Sequence, residues 1–168
     1  VRIVLDPGRA FGSGHHDTTL GCLESLAELD LDGRSVLDVG TGTGLLAIAA
    51  VRRGAGRVVG VDVDPDAVEV AAANVAANDV PVELAVGSVD AAPGPFDVVV
   101  ANVLTQTIID LATPLVTAVA PGGHLVTSGI GIERAPRVVD ALTAAGLADV
   151  TTRQRGEWAV VAGRRPTT

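Results

Sequence analysis

The sequence predicts an α/β fold, an open and mostly parallel sheet with helices on both faces. Three observations carry that expectation. Short β-branched runs alternate with helical stretches along the chain, the pattern that builds parallel sheets from crossover units. One stretch, Val36 to Asp62, reads strand, glycine turn, helix, strand and terminal acid in register. The run from Phe96 to Ala101 is apolar without interruption after Asp97, as suits a central strand covered on both faces.

Taken in order, Val1 to Leu5 alternates weakly and is compatible with a strand. Asp6-Pro7-Gly8 signals a turn. The Gly-rich stretch RAFGSGHHDTT follows, long and polar enough to serve as a lid over a ligand. Asp17 or Thr18 is the expected cap of the next helix, whose Leu20, Leu23, Leu26 and Ala27 recur at helical spacing and which Asp32-Gly33 closes. Val36, Leu37 and Val39 form a buried strand interrupted by one acid, Asp38. Gly40, Gly42 and Gly44 fall where that strand turns into helix, and Leu45 to Arg53 is apolar almost all round, as a helix buried against a sheet should be. Val58 to Val61 is the second strand, and it ends on Asp62, 22 residues after Gly40.

Asp64 then caps a helix with Pro65 at its first position, Asp66 and Glu69 near its positive end, and Asn78-Asp79 at its stop. Val82 to Val86 is the third strand, followed by Gly87-Ser88-Val89-Asp90 and a Pro93-Gly94-Pro95 turn. The Phe96 to Ala101 strand ends on Asn102. A helix from Gln106 to Val119 contains Pro114, which must kink or split it. Pro121-Gly122-Gly123 turns into a strand from His124 to Thr127, closed by Ser128-Gly129. Pro136 to Ala145 is the last helix, stopped by Gly146. Leu147 to Thr152 and Trp158 to Ala162 read as an antiparallel pair, and Arg164 to Thr168 as a tail. No repeat or linker divides the chain, so residues 1–168 are expected to form a single domain.

Composition sets the outer bounds. The 168 residues suffice for a sizeable core, and no apolar run reaches the length of a membrane span. No secretory signal is present, so a cytoplasmic protein is expected; the chain starts on Val and has no Met, so its native start is expected elsewhere. Cys22, the one cysteine, excludes an internal disulfide and fits a small core residue. A net charge of −8 disfavours nucleic acid held by phosphate contacts and suits a cationic partner. Phe11, Phe96 and Trp158 are the only aromatics, few plates for holding a flipped base. His15, His16 and Asp17 adjoin one another, but no second His or Cys cluster exists to close a polyhedron, so no metal is expected. Trp158 is expected to cap the core, with a place at the substrate entrance as the alternative, and Glu157 to be a solvated turn residue rather than a general base.

The glycine turn fixes the ligand class. Glycines let a ligand lie against bare backbone, the helix start offers unpaired N–H groups, and an acid at the next strand tip can take both hydroxyls of a ribose. A nucleoside-containing cofactor follows. Gly40, Asp62, Ser88 and Asn102 all fall at carboxyl ends of strands, where such sheets bind ligands, with Ser88 placed to edge a purine. A dinucleotide enzyme uses G-x-G-x-x-G; here the glycines run G-x-G-x-G and Asp38 precedes them. A carboxylate there repels a pyrophosphate and suits the cationic amino-acid end of S-adenosylmethionine, with a nicotinamide dehydrogenase as the alternative.

The segments DPGRAFGSGHHDTT (6–19), VLDVGTGTGLLAIAA (36–50), VDVDPDAVEVAAANVAAN (61–78), FDVVVANVL (96–104), GGHLVTSGI (122–130) and GEW (156–158) resemble the catalytic domain of the PrmA family. These are bacterial enzymes that methylate amino groups of large-subunit ribosomal protein eleven. The resemblance implies a class I S-adenosylmethionine-dependent methyltransferase fold, seven strands with a terminal antiparallel pair. It places cofactor contacts on Thr19, Gly40, Asp62 and Asn102, with Phe11 and Gly12 in a loop that closes over the ligand. Asp38, Gly42 and Ser88 join them from the reading of the turn and strand ends. Ser13 stands where the family has Thr, and the family's N-terminal substrate-recognition domain is expected to be absent ahead of Val1.

The implied activity is methyl transfer from S-adenosylmethionine to a protein amino group, on Lys or an α-amine such as that of a ribosomal protein. A peptide or small-metabolite amine, or a non-catalytic cofactor-binding module, are the alternatives. Asn102 is the expected catalytic residue, its carbonyls accepting amine hydrogens, although a strand-end Asn can also serve a turn alone. Adenine methyltransferases continue with prolines and an aromatic; here Val103-Leu104 follow, which favours an aliphatic amine.

Overall fold

The computed structural model describes residues 2–6 and 16–168. Seven strands form one sheet: β1 (Ser35–Val39), β2 (Arg57–Asp62), β3 (Glu83–Val86), β4 (Phe96–Asn102), β5 (Val119–Gly131), β6 (Ala148–Arg155) and β7 (Trp158–Arg164). Their order is β3-β2-β1-β4-β5-β7-β6, parallel from β3 through β5, with β7 antiparallel to both its neighbours. The helices α1 (Asp17–Ala27), α2 (Leu45–Arg52) and α3 (Pro65–Asn78) cover one face. The other face carries α4 (Thr105–Asp110), α5 (Ala112–Ala118) and α6 (Ala135–Ala144). The seven-stranded sheet with one antiparallel strand pair is the architecture expected above.

Alternation along β1 divides the core. Leu37 and Val39 join the α4–α6 layer with Val99, Ala101, Ile108 and Ile130, whereas Val36 joins the α1–α2 layer with Cys22, Leu46, Val98 and Val100. Strand order reverses between β1 and β4, so their carboxyl ends diverge there and leave the crevice where such sheets bind ligands.

Several elements differ from expectation for definable reasons. The α1 cap is His16, whose Nδ1 accepts the Thr18 N–H, rather than Asp17 or Thr18. The expected 106–119 helix is two: α4 ends before Leu111, and Pro114 sits in the first turn of α5, where its missing N–H costs nothing. Pro121-Gly122-Gly123 is not a turn ahead of the strand, nor does Ser128-Gly129 close it; β5 runs from Val119 to Gly131, its register against β4 jumping between Val119 and His124.

The weak strand at the start is not part of the sheet, and residues 2–6 bond instead to two side chains of α3. Asn78 accepts the Val4 N–H at 2.9 Å and donates to the Val4 carbonyl at 2.7 Å. Asn74 treats Asp6 the same way, at 2.8 and 2.9 Å. The second hydrogens of these amides reach the carbonyls of Asn74 and Thr43, so both amide groups are fully engaged. The match is geometric. Extended residues two apart lie about 6.6 Å from one another, and helix residues four apart rise about 6 Å on one face. Asn74 and Asn78 are buried at 2% and 5% exposure, where unpaired amides are costly. Asn78→Ala, which unpairs both backbone groups of Val4, should lower the unfolding free energy by about 1–3 kcal/mol in urea titration; an unchanged midpoint would show that the clip carries no stability.

Candidate active site

A cleft of about 350 Å³ opens at the carboxyl ends of β1, β2 and β4, a size suited to a small-molecule cofactor. Thr19, Gly40, Gly42, Asp62, Ser88 and Asn102, all expected from sequence, line it together. Phe11 and Gly12 lie outside the described residues.

The floor is the turn between β1 and α2. Gly40 and Thr41 both donate their N–H groups to the Val61 carbonyl, each at 2.9 Å. Asp62 Oδ2 accepts the Gly42 N–H at 2.9 Å, and Oδ1 accepts the Asp64 N–H at 3.0 Å. Its carboxylate thus braces the turn from the next strand and keeps lone pairs for a ligand, since an ionised carboxylate has about four acceptor sites.

The back wall is the loop leaving β4, and two glycines admit it. A Cβ on Gly40 (φ +72°) would lie 2.4 Å from Val103 Cγ1. One on Gly129 (φ +87°) would lie 2.0 Å from the Val103 carbonyl oxygen. Gly129 occupies an irregularity in the β5–β7 pairing between Thr127 and Ile130, and the neighbouring Ser128 carbonyl accepts the Val103 N–H at 3.2 Å.

Asn102 is fixed from the opposite face. Its Nδ2 donates to Thr19 Oγ1 at 3.3 Å, leaving Oδ1 without a hydrogen bond among the described residues. Thr19 is 1% exposed, on the first turn of α1. Trp158 is half-buried, not a core residue; its ring meets His16 edge-on at 5.3 Å, beside the start of α1. Among the described residues no group of three or more His, Cys, Asp or Glu could hold a metal, and no helix is long and apolar enough to cross a membrane.

Asp38 does not reach the cleft wall. Alternation turns its side chain toward the α1–α2 layer, beneath the turn, where it is fully buried. Oδ2 accepts from Thr41 Oγ1 at 2.8 Å, and Oδ1 has no hydrogen bond. Burial pushes its pKa up to about 7 against the Thr41 and Ala47 donors, and the charge of Asp62 pushes the same way. That buried, unmatched acceptor and the bare glycine floor fit a ligand bearing positive charge.

Val63, which sequence reasoning passed over, and Leu104, which it used only to favour an aliphatic acceptor, are apolar residues 72% and 77% exposed at the cleft rim. The available signal was positional: each closely follows a polar strand-end residue and belongs to no buried periodicity.

A family model described as "Ribosomal protein L11 methyltransferase (PrmA)" matches residues 1–166. A Geobacter sulfurreducens protein named "Ribosomal protein L11 methyltransferase" is 52% identical over 162 residues, covering 96% of this chain and 54% of its own length. The Geobacter metallireducens protein of that name is 51% identical over 156 residues, covering 93% and 52%. The chain therefore spans about half the length of the curated relatives it matches. The crystal structure of a ribosomal protein L11 methylase from Lactobacillus delbrueckii subsp. bulgaricus gives a TM-score of 0.87 at 30% identity, covering 97% of this chain and 84% of that one.

The glycine floor makes a specific demand. Gly40→Ala should lower stability by about 1–3 kcal/mol through backbone strain and further through the Val103 contact. Adding Val103→Ala should restore the second part only. Thermal unfolding of both variants checks this; a Gly40→Ala protein melting like the parent would sink it.

Proposed function

The chain belongs to the ribosomal protein L11 methyltransferase family, and from that premise we propose that it transfers methyl groups from S-adenosylmethionine to protein amino groups. The acceptor we propose is a large-subunit ribosomal protein, met in the cytoplasm. The observation carrying this reading is the placement of Asn102 and Asp62 on either side of one glycine turn.

When bound, the cofactor supplies an electrophilic methyl on a cationic sulfur. The chain supplies the rest. Asp62 takes ribose hydroxyls with the lone pairs that Gly42 and Asp64 leave open. Backbone at Gly40 and Gly42 receives the amino-acid end, and Ser88 edges the base. Asn102 Oδ1 accepts a hydrogen of the incoming amine and aims its lone pair, with Thr19 holding the amide in orientation. The amine must be neutral to attack, whereas a free Lys has a pKa near 10.4 and an α-amine near 8. Val103 and Leu104 at the mouth help exclude water, which favours the neutral amine. Catalysis is positioning and exclusion of water, with no covalent step through the protein. The chain's net charge of −8 attracts a basic acceptor protein.

Incubation with methyl-labelled S-adenosylmethionine and large-subunit ribosomal protein eleven should label that protein on amino groups located by mass spectrometry. Cofactor bound but no amine labelled would overturn the transfer reading. Asp62→Ala should weaken cofactor binding at least about tenfold, the loss of charge-assisted hydrogen bonds. Asn102→Ala should lower kcat about 100-fold through misorientation with a much smaller change in cofactor Kd. Equal turnover in parent and Asn102→Ala would remove that side chain from the mechanism.

A further inference from the structure

We propose that Asn74 of α3 is a positioning residue of the cofactor floor. It ties the Thr43 carbonyl in the glycine turn to the backbone of residue 6, so that cofactor binding and the docking of residue 6 strengthen one another. The inference rests on the cofactor reading above.

The buried stripe of α3 has two halves. Ala67, Ala71, Asn74 and Asn78 are its buried residues, spaced by four, three and four, which is one helix face. The alanine half lets the helix approach the site: Ala67 lines the cleft, and a Cβ on Gly44 would lie 3.3 Å from that of Ala71. The asparagine half carries residues 2–6.

The two asparagines treat that segment alike and differ in one hydrogen. Each accepts a backbone N–H on Oδ1 and gives one Nδ2 hydrogen to the carbonyl of the same residue, Asp6 for Asn74 and Val4 for Asn78. The remaining hydrogen of Asn78 stays within α3, on the Asn74 carbonyl at 2.7 Å. That of Asn74 leaves the helix and reaches the Thr43 carbonyl at 2.9 Å. Clipping the segment alone does not require this third bond.

Thr43 is buried to 0% exposure and borders the cleft. Its carbonyl shares a peptide with the Gly44 N–H, which donates to the Thr41 carbonyl at 2.8 Å. That peptide is held at one end by the turn itself and at the other by Asn74. Gly42 is held from β2 by Asp62, so the turn is braced from two neighbours, and the α3 brace passes through one amide. With Asp6 engaging Oδ1 and one hydrogen, the plane of the amide is set and its second hydrogen has one direction left. Residue 6 leaving α3 frees the amide to rotate and takes the donor from the Thr43 carbonyl. A ligand that needs the turn in its present shape then binds less tightly, and by reciprocity its binding favours residue 6 in place.

Calorimetric titration with S-adenosylhomocysteine tests this, at a temperature where thermal unfolding shows each variant folded. Asn74→Ala should raise Kd about fivefold or more. Asn78→Ala, which loses the equivalent pair of bonds at Val4 but not the bond to the turn, should keep a Kd close to the parent's. Asp6→Pro removes the N–H that Asn74 holds and should raise Kd in the same direction. Combined with Asn74→Ala it should add nothing, because both act through one amide. A parent-like Kd in Asn74→Ala overturns the proposal. So does an equal rise in Asn74→Ala and Asn78→Ala, the mark of general loosening, or full additivity of the Asp6 and Asn74 changes. Should Asn74→Ala fail to fold, Asp6→Pro decides alone, and a parent-like Kd there overturns the proposal too. Each of these outcomes leaves the cofactor reading intact; a parent protein that does not bind the ligand overturns both.

Discussion

The site depends on backbone approaching backbone without side chains between. Val103 is held between Gly40 on one strand end and Gly129 on another, at separations that a single Cβ on either glycine would violate. This contact sets how far the loop after β4 stands from the glycine turn, and hence the distance between the cofactor floor and Asn102. Protein interiors resist small volume changes, so this spacing is stiff. The irregularity in β5 that presents Gly129 is as much a part of the site as the turn itself.

From the other face, α1 has to deliver Thr19 to Asn102, and its contacts explain how it is registered. Cys22 and Leu26 anchor it in the core, and Thr18 and Thr19 are buried at its start. Arg155 of β6 bonds both Asp17 and Glu24, and Arg153 bonds Glu28 through both carboxylate oxygens at 2.7 and 3.0 Å. Exposed pairs of this kind contribute little stability each. Spaced along one side of the helix, they oppose sliding or rotation of α1 against the sheet, which is the motion that would part Thr19 from Asn102.

The sequence made the parallel sheet legible because its signal is local: Val-rich runs, glycines at one strand end, an acid at the next, Asp64-Pro65 opening α3. What stayed hidden depended on partners distant in sequence. Residues 2–6 alternate too weakly to reveal their conformation, and the amides that hold them lie 68 and 74 positions away. His16 caps α1 where Asp17 and Thr18 had the better propensity, because its ring is also packed against Trp158. Asp38 was read as facing the ligand because it neighbours the glycines, yet strand alternation alone puts it on the face of Val36, which is the α1–α2 layer.

That last point separates the generic part of the site from the particular part. On the proposed function the glycine floor and Asp62 hold the cofactor through backbone and charge, and nothing in them selects an acceptor. Selection then falls to the Asn102 carbonyl and the exposed Leu104 at the cleft rim. An aromatic base would need a stacking plate, and none of residues 102 to 105 is aromatic, whereas a flexible aliphatic amine needs only an apolar rim and one acceptor for its hydrogens. The residues after β4 meet the second requirement and not the first. On that reading the choice of acceptor chemistry lies in three consecutive residues, 102 to 104, of which Val103 packs against both Gly40 and Gly129.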